Sequence, residues 1–178
     1  MIAIIGLFFC LIVFFYLKRR DLFKFNFRKA VRFWFVETIC CVLVVYALKL
    51  TPIPDARIYS VTDSMTPEMT RMVKEKSILG ISLAGLEDAI FVLPLLLLPQ
   101  IRVVRLLGIT VMTYTFMRGH DYQGTHAMLA KAPYVPVAYY FAARYGILTT
   151  IIAHAWNDVY ALTILKIRLW WEEKYGSK

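Results

Sequence analysis

The chain has 178 residues, 60% of them apolar and only 19% charged, with a net charge of +9. A soluble domain carries nearer a quarter charged residues and about half apolar ones. The composition excludes a soluble globular domain and predicts an all-α, polytopic transmembrane helix bundle in the cytoplasmic membrane. A bilayer core about 30 Å thick needs roughly 20 residues per helix, so this length allows about six spans, in a range of about five to seven, in a single domain. The positive charge does not mark nucleic-acid binding. Seven of the 21 basic residues fall between Lys18 and Arg32, directly behind an apolar run, where a cytoplasmic flank meets anionic lipid. No basic face is left away from the membrane, so the expected partner is membrane lipid and no nucleic acid. Cys10, Cys40 and Cys41 lie inside apolar runs and read as small buried hydrophobes.

In chain order, residues 1–50 hold two N-terminal spans. Met1 to Leu17 is almost unbroken apolar sequence closed by Lys18, Arg19 and Arg20, the reverse of a cleaved signal peptide, so a retained span with its N-terminus outside is expected. Val31 to Leu50 is the second, with Glu37 near its basic entry, in reach of Arg28 or Arg32. Residues 51–76 form an external loop opened by Pro52 and Pro54. Within it, Thr66-Pro67-Glu68 has the form of a helix start, and Met69, Met72 and Val73 give a short amphipathic, interfacial helix.

Residues 77–167 carry the candidate catalytic helices. A third span, Ser77 to Leu98, has Glu87 and Asp88 near its middle. A fourth helix from Val103 is expected to run past His120, because Gly119 and Gly124 allow close packing. Pro133 and Pro136 interrupt the chain, and Val137 to Ala143 follows as a short apolar piece, either re-entering the membrane or, as favoured here, crossing it completely. The last span, Ile147 to Ile167, holds His154 and Asp158, and Trp170 and Trp171 fit an interfacial anchor in the tail.

Charges at the bilayer centre are costly and mark functional sites. Glu87 and Asp88 are adjacent, separated by about 100° around a helix. His154 and Asp158, four residues apart, point the same way, and His120 follows Phe116 by four residues. His126 sits toward a loop and is assigned no role. A carboxylate and two imidazoles converging in a dry cavity suit proton transfer at a carbonyl: the acid takes a proton from water, and the imidazoles position that water or donate to the oxyanion.

An acidic pair, then Phe116-Met117-Arg118-Gly119-His120, then His154-Ala155-Trp156-Asn157-Asp158, each on its own helix, resembles the CAAX prenyl endopeptidases and bacteriocin-processing proteins. These are glutamate-dependent intramembrane proteases. The run Tyr145 to His154 resembles the family's last catalytic helix, and 33 residues separate Glu87 from His120, as the pattern requires. The resemblance covers roughly Ser77 to Ile167. It implies that Glu87 activates water, that His120 helps to hold it, and that His154 and Asp158 steady the oxyanion, with Asp88 as the second acid. The chain departs from the pattern at Asp88, where glutamate is usual, at Val92, where arginine is usual, and at Asp158, where asparagine is usual.

The resemblance implies a peptide or protein substrate, in reach of the membrane or anchored in it, and no cofactor. Two other readings fit the same residues: a non-catalytic binding or immunity-type relative, and a metal-dependent membrane enzyme in which Glu87, His120, His154 and Asp158 hold Zn²⁺ through nitrogen and oxygen ligands.

Overall fold

The computed structural model describes residues 19–53, 67–121 and 124–175, and every regular element among them is helical. A 3-10 turn at Arg20–Phe23 leads into α1 (Phe27–Lys49), followed by α2 (Pro67–Glu75), α3 (Ile78–Leu97), α4 (Arg102–Gly119), α5 (Thr125–Ala130), α6 (Tyr134–Tyr145) and α7 (Ile147–Tyr175). The expected first span at Met1 to Leu17, with Cys10, lies outside the described residues. So do Pro54 to Thr66 of the expected external loop.

Among the described residues two helices, α1 and α3, are long and apolar enough to cross a membrane. The 23 residues of α1 reach about 34 Å at the α-helical rise. It begins four residues before the expected Val31 because Asn26 caps it, its Oδ1 accepting from the Lys29 N–H at 3.1 Å. Only 11% of its apolar window is buried within the fold, so Phe35, Ile39, Leu43 and Tyr46 project outward. Its inward stripe is Ala30, Phe33 and Glu37, the spacing of a single helix face.

The helix α3 is not uniform. Ser77 starts it, accepting from the Gly80 N–H at 2.9 Å. A 3-10 segment, Leu83–Leu86, then tightens the coil directly before Glu87, and a second break falls at Val92. Pro94 explains that break: without an N–H, and with its ring against the preceding turn, it cannot continue the ladder.

Several expectations are corrected in the second half. The helix α4 ends at Gly119 with His120 as its cap, and a Cβ on Gly119 would meet nothing within 4 Å, so this glycine seats no neighbouring helix. The helical path does break at Pro133, in the turn between α5 and α6, but Pro136 lies inside α6, in its first turn, where a missing N–H costs nothing. With 12 residues α6 is about 18 Å long, too short for the complete crossing expected there. The helix α7 is longer than expected, running 29 residues through Trp170 and Trp171 to Tyr175, with Lys174 placed 4.9 Å over the Trp170 ring.

The central element is α7, against which α1, α3 and α6 all pack. Its lower end carries α2 through Lys74 Nζ and Glu173 Oε1 at 2.7 Å, with Val73 buried beneath. The side chains of Met69 and Met72, which complete the expected apolar face, lie outside the described set. Two glycines set how closely the helices approach. At Gly85 an added Cβ would stand 2.5 Å from the Ile151 carbonyl oxygen and 2.8 Å from the Ala155 Cβ, so α3 touches α7 backbone to backbone. At Gly146, with φ +91°, an added Cβ would run into the Lys24 backbone, which seats the N-terminal turn on the start of α7.

Gly85→Ala therefore forces α3 away from α7, at a cost of about 1–3 kcal/mol, and should lower the thermal midpoint in detergent. Gly119→Ala, with open space around it, should leave the midpoint unchanged or raise it slightly.

Candidate active site

The contact at Gly85 brings Glu87 and Asp88 of α3 level with His154 of α7, two and three residues further along. Asp88 is wholly buried. Its Oδ1 accepts from the Tyr134 hydroxyl of α6 at 2.5 Å and faces His154 Nδ1 at 3.3 Å. A buried carboxylate without partners costs several kcal/mol, and here two helices supply them. On the other side of the ring, His154 Nε2 stands 3.5 Å from Asp158 Oδ2, an ion-pair distance rather than a hydrogen bond.

The imidazole of His154 thus lies between two carboxylates. Carboxylate oxygens only accept, so both contacts are favourable when each ring nitrogen carries a proton, or when one carboxyl carries it instead. In either form the ring can pass a proton between the two carboxylates.

Aromatic rings wall this set. Tyr134 stacks on Phe116 at 4.7 Å and 15°, and its ring centroid is 4.8 Å from His154. His120 lies against the same Phe116 at 4.5 Å. Its Nδ1 donates to the Phe116 carbonyl at 2.8 Å, because a carbonyl can only accept, and a neutral ring then has its acceptor at Nε2. Glu87 is half-buried and makes no side-chain hydrogen bond or ion pair among the described residues, while His154, Asp88 and Lys131 are near enough for their charges to act on it.

The structure accordingly brings Asp88, His154 and Asp158 into contact, places His120 one ring away across Phe116, and leaves Glu87 at the edge of the group. Asp88, turned from Glu87 around the helix, holds Tyr134 and His154. Among the described residues no three His, Cys, Asp or Glu side chains gather as a metal-binding group. His126 is buried and its Nε2 donates to the Ile53 carbonyl at 2.9 Å.

Sequence reasoning missed four residues here. Tyr134 belongs to no motif and follows a proline that looked like a break. Asn157 lies inside the quoted run, and its Oδ1 accepts from Trp34 Nε1 at 3.0 Å, linking α7 to α1. Glu37 is not paired with Arg28 or Arg32; it is buried and accepts from the Cys41 thiol at 3.1 Å. Lys131, between α5 and α6, borders the same cleft as His154. The one signal for Glu37 was its place on the Ala30–Phe33 face.

Comparisons of the chain with protein-family models, curated proteins and solved structures gave no match.

Removing the Tyr134 hydroxyl leaves the buried Asp88 carboxylate short of its strongest donor. Tyr134→Phe should cost about 1–3 kcal/mol, read as a lower denaturation midpoint in detergent. Tyr114→Phe, on the exposed face of α4, serves as the control and should change nothing.

Proposed function

We propose that the chain is a polytopic integral membrane hydrolase of the cytoplasmic membrane, a glutamate-dependent intramembrane endopeptidase of the CAAX-protease type that cleaves peptides held in or at the bilayer. The single observation that carries this reading is the Asp88–His154–Asp158 set, with Asp88 and His154 buried, beside a half-buried Glu87. The two long apolar helices support the membrane setting. So do the exposed Val103, Leu107, Val111 and Tyr114 along α4, an apolar face that water would not tolerate over this length.

In this reading Glu87 is the base. Its carboxylate takes a proton from a water molecule as the water oxygen bonds to the scissile carbonyl carbon, and the C=O π pair moves to oxygen. His120, whose Nε2 is an acceptor, helps to hold that water, and the resulting oxyanion is steadied by the Nε2–H of His154, which stands at ion-pair distance from Asp158 and not in a hydrogen bond. Collapse of the tetrahedral intermediate breaks the C–N bond, and Glu87 passes its proton to the leaving amine. Asp88 and Tyr134 hold the His154 ring from one side. Asp158 faces Nε2 and holds it from the other, a positioning role in place of the direct oxyanion contact that the resemblance implies.

Glu87→Gln keeps the shape and removes the base, so turnover of a library of membrane-embedded or prenylated peptides should fall by orders of magnitude with the fold intact. Asp88→Asn should cost about ten- to a hundred-fold, the scale of a supporting contact. Equal turnover by wild type and Glu87→Gln would overturn the hydrolase reading and leave the cluster as a structural lock between α3, α6 and α7.

A further inference from the structure

His154 has a second polar neighbourhood on the side of α1. A small cleft lies between α1, α7 and the turn joining α5 to α6, lined by Trp34, Glu37, Lys131, Tyr134, His154 and Asn157 among others. Its free space is about 10 Å³, close to the room one water molecule needs. Glu37 is the notable member. It is 6% exposed, on a helix whose other inward residues are Ala30 and Phe33.

We propose that this cleft is a water-binding site in which Glu37 and Lys131 hold one water molecule beside His154, so that α1 is part of the functional site. The inference rests on the hydrolase reading only for the use to which the water is put. A buried carboxylate needs strong donors. The Cys41 thiol that reaches Glu37 Oε1 is a weak one, and it leaves acceptor capacity on the carboxylate. Lys131 brings an ammonium with three donors, and Asn157, whose Oδ1 is taken by Trp34, keeps its amide hydrogens. Two to four polar partners around a water-sized space are what an internal water requires. Phe33, Trp34 and Ala153 also line the space. In a bilayer such a site gives His154 a reserve of water on the side away from Glu87's helix.

X-ray radiolytic labelling of the full chain in nanodiscs tests this directly, since hydroxyl radicals form from held water and oxidise the side chains beside it. Trp34 should be oxidised several-fold faster than the lipid-facing Trp156, and Glu37→Leu should bring Trp34 down to the Trp156 rate. Glu37→Gln, with its shape kept, should give an intermediate rate at an unchanged thermal midpoint, separating loss of the water from loss of the fold. Trp34 oxidation at the Trp156 rate in the wild type means a dry cleft and overturns the proposal. So does fast oxidation that Glu37→Leu leaves unchanged. Peptide turnover is read separately: Glu37→Gln should lower kcat about tenfold with KM unchanged. Normal Trp34 labelling in a wild-type chain without turnover keeps the water site and overturns the hydrolase reading instead.

Discussion

A carboxylate with no solvent around it is the constraint on which this fold turns. Asp88 is wholly enclosed, and taking such a group out of water costs more than any single apolar contact returns. The cost is met only if donors from other helices arrive within hydrogen-bond reach. Tyr134 comes from α6 and His154 from α7, so the position of three helices is fixed by one side chain. The glycine at position 85 is the steric counterpart: any larger residue would hold α3 too far from α7 for the contact to form.

From that contact the rest of the interior follows. Phe116 stacks on Tyr134 and carries His120 on its other flank, which ties the end of α4 to the same group. Phe33 of α1 packs edge-on against Tyr134 and Phe141. The polar interior is therefore wrapped by aromatic rings, which supply large apolar area with few torsions to freeze. Packing and chemistry use the same residues, and a change to one is felt by the other.

Much of this architecture was legible in the sequence because apolar runs of fixed length have few physical solutions. The runs at Val31 to Leu50 and Ser77 to Leu98 became α1 and α3, the second capped by the Ser77 side chain. Pro133 marked a real break, whereas Pro136 was misread because proline is also tolerated in the first turn of a helix, where its missing N–H has no partner to lose. His154 and Asp158 were legible through their spacing of four, whereas Tyr134 was not, since a lone tyrosine gains its meaning only from the carboxylate brought to it by folding. Glu37 was assigned to nearby arginines by proximity in sequence. Its true surroundings, Cys41 and the cleft beside Lys131 and His154, come mostly from the other end of the chain.

The ties between α1 and α7 carry a consequence for biosynthesis. Asn26 N–H donates to Thr149 Oγ1 at 3.1 Å and Trp34 to Asn157 at 3.0 Å, each across 123 residues of sequence. A chain emerging from the ribosome at its usual pace of about 5–20 residues per second holds α1 for several seconds before these partners exist. During that interval the inward stripe of α1, with its glutamate, lacks the α7 surface that later covers it. Among the described helices the first to be made is thus the last to be finished, and quality control that recognises an uncovered acid would see every nascent copy until α7 arrives.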